Sequence, residues 1–155
     1  MQEAEALNSV AQFHNTFNHP ILGKPQIPDK KRADLRVSLL KEELQELEEA
    51  LEAKNLVEVA DALCDLQYVL SGAILEFGLG NKFAELFAEV QRSNMSKVCH
   101  TEEEAQATVD HFDLLGQHAY YEKRDQFFLV YRKADNKTLK SVNYSAVDLK
   151  SIIAD

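Results

Sequence analysis

The sequence predicts a mainly α-helical protein, in which a bundle of four to five helices is followed by a small antiparallel β meander. Apolar residues recur with the helical period over the first two-thirds of the chain. The last quarter instead contains short aromatic and β-branched runs with turn residues between them. We therefore expect a helical domain over residues 1–116 and a small β-rich extension, packed on it, over residues 117–155.

The first predicted helix runs from about Glu3 to Phe17. All three prolines of the chain fall within residues 19–29, which are therefore predicted to form an extended loop, because proline lacks a backbone N–H and disfavours a helical residue before it. His14, near the end of the first helix, could line a base pocket but is expected at the surface or half-buried.

The second and third predicted helices, about Lys30 to Lys54 and about Leu56 to Phe77, each carry an apolar stripe. Gly78 is expected to end the third helix, because glycine adopts the left-handed cap conformation at little cost. The stripes predict the following core residues: Leu40, Leu44, Leu47 and Leu51 on the second helix, and Val59, Leu63, Leu66, Leu70 and Ile74 on the third.

The rest of the chain predicts two further helices, strands and a final helical turn. A fourth helix is expected over about 81–98, and a fifth begins at the cap residue Thr101 and ends near Leu115. Ser145 is expected to cap the final turn over residues 146–153. The three predicted strands cover residues 119–123, 127–133 and 138–142.

Acidic residues on the second and third predicted helices suggest a metal site. The third helix has no Lys or Arg to neutralise its acids locally, and these acids lie within about 60° of one another on the helical wheel. If the two helices fold back on one another, the carboxylates face each other and require a cation. The residues concerned, hereafter the six acids, are Glu42, Glu43, Glu46, Glu58, Asp61 and Asp65.

Carboxylate oxygens held on rigid helices are suitable ligands for Mg²⁺, with Mn²⁺ as a possible substitute. Such a site binds the polyphosphate of a nucleotide through the metal. Glu48, Glu49 and Glu52, on the other side of the second helix, are expected to face solvent.

Charge and cysteine content exclude other classes of function. The net charge of -9 argues against non-specific binding to nucleic acid or to an anionic membrane. Two cysteines are too few for a disulfide framework, and no targeting or membrane segment is visible. We therefore expect a cytoplasmic protein with reduced thiols.

The acidic motifs resemble those of a known superfamily. Glu42-Glu43-Leu44-Gln45-Glu46 and Glu58-Val59-Ala60-Asp61 resemble the EExxE and ExxD motifs of the all-α NTP pyrophosphohydrolases, which include MazG, dimeric dUTPases and phosphoribosyl-ATP pyrophosphohydrolase. Residues 57–68 are similar to the third helix of MazG-like members, and Arg36 and residues 93–97 also match.

The resemblance implies a bundle of this superfamily's type and a role for each matching residue. The six acids hold Mg²⁺, with Asp65 as a supporting or alternative ligand, and Glu43 is also the candidate base that orients water. Arg36, Asn94 and Lys97 contact the substrate. The implied reaction is hydrolysis of a nucleoside triphosphate to monophosphate and pyrophosphate by a homodimer or higher homo-oligomer.

Three alternatives compete with this interpretation. Phosphoribosyl-ATP hydrolysis is the main competitor within the enzyme class. A helical oligomer that binds nucleotide without turnover is a competitor from another class. A ferritin-like di-iron protein is disfavoured, because neither acidic motif contains the Glu-x-x-His pair that such sites use.

Overall fold

The computed structural model describes residues 4–154, so the predicted helix start at Glu3 lies outside the described residues. Within this range the chain forms six α-helices and one two-stranded antiparallel sheet, which confirms the mainly α-helical class. None of the described helices combines the length and the apolar character needed to span a membrane. The chain divides into two compact units, Met1–Phe83 and Ala84–Asp155.

The first unit contains three helices. They are α1 (Ala6–Thr16), α2 (Lys30–Glu52) and α3 (Leu56–Glu76). The third helix packs against both of the others, and its contact with α2 is the most extensive. The predicted helices are thus confirmed, with ends shifted by a few residues.

The turn between α2 and α3 determines how the acidic helices meet. Asn55 caps α3, because its side-chain oxygen accepts the backbone N–H groups of Val57 at 3.1 Å and Glu58 at 3.4 Å. Lys54, just before the cap, has a left-handed φ of 54°. Three residues therefore suffice to join two helices that pack side by side as a helical hairpin.

The proline-containing loop is fixed against the end of α3. Residues 17–29 form neither helix nor strand, which confirms the loop predicted over residues 19–29. Gln26 donates its backbone N–H to the carbonyl of Phe77 at 3.0 Å. Gly78 has the expected left-handed φ of +68°, and a Cβ there would lie 1.9 Å from the carbonyl oxygen of Lys24. Only glycine fits this close approach of two backbones.

Of the predicted core residues on α2 and α3, Ile74 is buried as predicted, but four leucines are exposed. Leu44 is 49% exposed, Leu51 58%, Leu63 51% and Leu70 42%, so their assignment to the core is wrong. Helical period shows which face is apolar but not which face packs, and small residues allow closer approach of the helices. The residues that these helices bury are Arg36 and Ala50 on α2, and Ala62, Ser71, Gly72, Ile74, Leu75 and Glu76 on α3.

The second unit combines helices with the two strands. Helix α5 packs against both strands. The core of this unit consists of small and aliphatic residues: Cys99, Ala105, Val109, Ala119, Val130 and Leu139. Its elements are α4 (Phe83–Met95), α5 (Glu102–Leu114), β1 (Ala119–Arg124), β2 (Phe127–Arg132) and α6 (Leu149–Ala154).

The compact units do not end where the predicted domains end. The structure groups α5 with the strands, which places the boundary between units after Phe83 rather than after residue 116. The predicted domain boundary at 116/117 itself stays a prediction.

The third predicted strand, residues 138–142, does not form. Only an isolated bridge joins Thr138 to Tyr131. Beyond this point the chain turns toward α5, where the backbone N–H of Val142 donates to the hydroxyl of Thr108 at 3.1 Å. Hydrogen bonding to α5 therefore replaces further pairing with β2.

The predicted cap at Ser145 is also corrected, because α6 begins only at Leu149. Asp148 accepts the backbone N–H of Ser151 at 3.2 Å and its hydroxyl at 2.6 Å, and so occupies the capping position. Ser145 is instead hydrogen-bonded to Arg92 of α4 and to the hydroxyl of Ser96, which directly follows that helix.

Candidate active site

The hairpin of α2 and α3 places the six acids on two neighbouring helices. Glu43 and Asp65 are half-buried, whereas the others are exposed. Burial raises the pKa of Glu43, and the nearby carboxylates of Asp65, Glu46, Glu42 and Asp61 raise it further. Five of the six acids are therefore close enough to interact electrostatically, and Asp65 exerts the strongest of these effects on Glu43.

The sixth acid, Glu58, lies in the first turn of α3. It lines a surface groove of about 380 Å³ together with Glu46 and Glu49. Glu49 is exposed, as expected. It nevertheless lines this groove beside Glu46 and Glu58, although its position on the helical wheel had separated it from the six acids. A wheel shows angles about one helix, whereas the groove is formed by both helices and the turn between them.

No cation in the described part of the chain neutralises the six acids, since none of them forms an ion pair with Lys or Arg there. Within residues 4–154, no three His, Cys, Asp or Glu side chains converge at metal-binding distances. Mg²⁺ needs fewer protein ligands than this, because it keeps several waters and takes phosphate oxygens. The hard carboxylate oxygens of this site are chemically compatible with such a cation.

Arg36, a predicted substrate contact, is buried in the hairpin and ion-paired with Glu76. Arg32 also binds Glu76, with 2.9 Å between its Nε and Oε2 of the carboxylate. Burial raises the pKa of Glu76, but the hydrogen bonds from Arg32 and Arg36 outweigh it and hold the pKa below its usual value. Nε of Arg36 is buried and has no hydrogen-bond partner in residues 4–154.

His14 lies against this ion-pair group and is 2% exposed, so its expected surface or half-buried position is wrong. Its Nδ1 is 2.9 Å from the carbonyl oxygen of Pro20, which can only accept, so Nδ1 carries the proton. Its Nε2 lies 3.5 Å from Nη2 of Arg36. Burial lowers the pKa of His14, which favours the neutral ring at neutral pH.

A cavity of about 230 Å³ adjoins His14 and Arg36. Aromatic rings line much of it: Phe13 stacks on His19 with 5.8 Å between ring centroids and meets Tyr68 edge-on at 5.7 Å. Phe13, His19 and Tyr68 were not predicted as site residues, because they come from two helices and the loop after the first and meet only in the folded chain. The ion-pair role of Glu76 was not predicted either. Two arginines one turn apart on α2, Arg32 and Arg36, are the sequence feature that indicates a carboxylate partner.

Asn94 and Lys97, the other predicted substrate contacts, lie in the second unit. Asn94 is in the last turn of α4, and Lys97 is the second residue after that helix. Nζ of Lys97 donates to Oδ1 of Asn94 at 2.8 Å. The two side chains therefore form one polar pair at the end of the helix.

The helical fold and the acidic motifs on its central hairpin define a member of the all-α NTP pyrophosphohydrolase superfamily. The phosphoribosyl-ATP pyrophosphohydrolase family model matches residues 10–94, which is more than half of the 155-residue chain. The chain belongs to this family. The matched range contains the six acids, Arg36 and Asn94.

A viral protein is also similar to this chain. Uncharacterized protein L479 of Acanthamoeba polyphaga mimivirus is 35% identical over 82 residues, which cover 50% of this chain and 33% of that protein. The chain thus spans about a third of the length of the curated relative that it matches.

Proposed function

We propose that this protein is a Mg²⁺-dependent nucleotide pyrophosphohydrolase, which converts a nucleoside or deoxynucleoside triphosphate and water into a monophosphate and pyrophosphate. The observation that carries the proposal is the unneutralised group of carboxylates around Glu43, on two packed helices. Family membership supports the reaction class. Mn²⁺ is proposed as a substitute for Mg²⁺.

The six acids have two roles in this proposal. All six are candidate metal ligands, and a bound divalent cation supplies charge neutralisation at the phosphates and a more acidic water. Glu43 also accepts a proton from the attacking water as one P–O bond of the anhydride breaks.

Arg36 is proposed to contribute to substrate binding from the cavity that it shares with His14. Its guanidinium is held by Glu76, and its Nε–H has no acceptor in the described residues. A buried donor without a partner is unfavourable, so a substrate oxygen that reached it would gain a hydrogen bond. The aromatic walls of the cavity suit a planar ring.

Phosphoribosyl-ATP is the second candidate substrate, because the family that matches is described by this activity. Its hydrolysis breaks the same kind of anhydride bond and releases pyrophosphate. The same carboxylates serve both reactions, so only the part of the substrate outside the polyphosphate distinguishes them.

A substrate panel tests the proposal. Canonical and damaged nucleoside triphosphates and phosphoribosyl-ATP are incubated with the protein and Mg²⁺, and pyrophosphate is measured with and without EDTA. We expect Mg²⁺-dependent release from at least one substrate. Folded protein that binds nucleotide but releases no pyrophosphate contradicts the proposal and favours the non-catalytic nucleotide-binding oligomer.

We also propose that the protein is a homodimer or a higher homo-oligomer. The leucine stripes of α2 and α3 leave Leu44, Leu51, Leu63 and Leu70 exposed, and burial of such residues is a main driving force for association. Sedimentation equilibrium tests this, and a monomer at micromolar concentration contradicts it. A cytoplasmic location stays a prediction.

A further inference from the structure

The segment that follows β2 is bound to the last turns of α4. Arg92 donates from Nη1 to the hydroxyl of Ser145 and from Nη2 to the carbonyl of Ala146, both at 2.9 Å. Ser93 donates to the carbonyl of Ser145 at 3.0 Å. Residues 140–148, hereafter the C-terminal segment, are therefore held next to the residues that flank Asn94.

Further hydrogen bonds fix both sides of this contact. The backbone N–H of Ser145 donates to the hydroxyl of Ser96 at 2.9 Å, and that of Asp148 donates to Oε1 of Glu89 at 2.8 Å. Because donors and acceptors come from both partners, the position of the segment along α4 is well defined.

Tyr144 lies within electrostatic reach of two lysines, Lys140 of the segment and Lys97. Its hydroxyl oxygen lies 2.9 Å from that of Ser93, which is 4% exposed. Nζ of Lys140 lies 4.2 Å from the centroid of the Tyr144 ring. The hydrogen bond with Ser93 and the ammonium groups of Lys140 and Lys97 hold the pKa of Tyr144 below its usual value.

The charges of Lys97 and Lys140 are not neutralised by a carboxylate of the described residues. Lys97 and Lys140 form no ion pair with a carboxylate in residues 4–154, and the polar partner of Lys97 is the neutral Asn94. Arg92, on the same helix, is paired with Glu89. In a chain with a net charge of -9, two cations that act on the same phenol and have no paired carboxylate form a local positive site that favours an anion.

We propose that Lys140 and Tyr144 of the C-terminal segment join Asn94 and Lys97 to form a binding site for phosphate groups. The inference rests on the proposed function and on the sequence-based prediction that Asn94 and Lys97 contact the substrate. The ligand is the polyphosphate of the nucleotide or free pyrophosphate, which share the same oxygens. Two ammonium groups supply charge, and the NH2 group of the Asn94 amide supplies directional donors. Tyr144, through its ring, positions Lys140 beside them. The C-terminal segment thereby acquires a role in substrate binding.

Binding of pyrophosphate to the full-length protein in EDTA tests the site. Without metal, phosphate oxygens depend on protein cations and donors. We expect Lys140→Gln to weaken pyrophosphate binding by about three- to tenfold in isothermal titration calorimetry, and Lys140→Arg to restore most of it. Lys133→Gln removes the same charge from an exposed turn of the same unit and is expected to leave binding unchanged. Equal affinities of Lys140→Gln and Lys133→Gln overturn the proposal.

Tyr144→Phe provides a second test, because it removes the hydroxyl and keeps the ring under Lys140. We expect a smaller loss of pyrophosphate affinity, about two- to threefold, because the ring that positions Lys140 is held less firmly once its hydrogen bond with Ser93 is lost. Unchanged affinity for pyrophosphate would show that Tyr144 does not contribute to the site.

A comparison of ligands identifies the source of the phosphate and separates the two proposals. We expect Lys140→Gln to bind ATP more weakly than the wild type does. Its affinity for adenosine, which has no phosphate, is expected to be unchanged. If pyrophosphate alone loses affinity, the site binds product. If the protein hydrolyses no nucleotide but Lys140→Gln still binds pyrophosphate more weakly than Lys133→Gln, the enzymatic proposal fails and the phosphate site stands.

Discussion

The two ends of α3 carry acids in opposite surroundings. Near its start, three of the six acids have no cationic partner in the described residues. Near its end, Glu76 is fully buried and bound by Arg32 and Arg36. A buried carboxylate is tolerated only when it is paired, whereas acids at the surface can stay unpaired until a ligand arrives. The comparison separates an acid that holds the hairpin together from acids that are available for chemistry.

Removal of Glu76 is the strongest test of this difference. We expect Glu76→Gln to lower the free energy of unfolding by about 3–5 kcal/mol, because Arg36 stays buried without a counter-charge. Urea unfolding measures this. The matched change at the other end, Glu58→Gln, is expected to stay within about 0.5 kcal/mol of the wild type in EDTA. Equal losses in the two variants would mean that both ends of the helix stabilise the fold alike.

The close packing around the ion pairs predicts a smaller effect at Gly72. A Cβ there would lie 2.7 Å from Nη1 of Arg36, and Glu76 holds this guanidinium in place. We expect Gly72→Ala to cost about 1–3 kcal/mol in urea unfolding. Gly23, where no atom lies within 4 Å of the added Cβ, is the control. Gly23→Ala is expected to be neutral or slightly stabilising, and a similar loss at both positions would contradict the packing argument.

At the acidic end, Mg²⁺ is expected to stabilise the protein. A ligand present at ten times its dissociation constant contributes about 1.4 kcal/mol. We expect this increase in the wild type and in the control Glu48→Gln, and its loss in Glu46→Gln. Thermal unfolding with and without Mg²⁺ measures it. A similar effect of Mg²⁺ on all three proteins would indicate non-specific ion binding.

The pH dependence of stability is expected to have opposite signs at the two sites. The pKa of Glu43 is raised on folding. Its side chain therefore contributes to the free energy of unfolding below its unfolded pKa, and this contribution is lost as the pH rises through the folded pKa. The pKa of Glu76 is lowered, so its contribution is present above its unfolded pKa and is lost as the pH falls through the folded value.

In EDTA near neutral pH, we therefore expect Glu43→Gln to raise the free energy of unfolding by less than about 1 kcal/mol, whereas Glu76→Gln lowers it. Both differences should shrink on acidification, because the wild-type carboxylates become protonated. Urea unfolding across this pH range measures them. A Glu43→Gln variant that is less stable than the wild type near neutral pH would contradict the repulsion among these acids.

Helix positions and the acidic motifs could be predicted because both depend on local signals. Asn55 and Gly78 mark helix ends by capping chemistry, and the spacing of acids such as Glu58 and Asp61 fixes their common helical face. The exposure of Leu44 and Leu63 could not be predicted, because periodicity identifies an apolar face without identifying the surface that covers it.

Long-range contacts account for the other differences. Glu76 is 40 residues from Arg36 in sequence, so neither residue reveals its partner locally. Ser145 has the side chain of a helix cap, but it is hydrogen-bonded to Arg92 of α4 and to Ser96 just after that helix, far from it in sequence. The phosphate site proposed at Lys140 likewise depends on how the chain folds back onto α4.

The most direct test of the central claim is the rate of pyrophosphate release by Glu43→Gln, with Glu48→Gln as the matched control on the same helix. With a substrate from the panel and saturating Mg²⁺, we expect Glu43→Gln to lower kcat by about 10²–10⁴-fold, because it removes the proposed base. Glu48→Gln should keep wild-type turnover. Wild-type turnover by a folded Glu43→Gln variant, or an equal loss in both variants, would contradict the account.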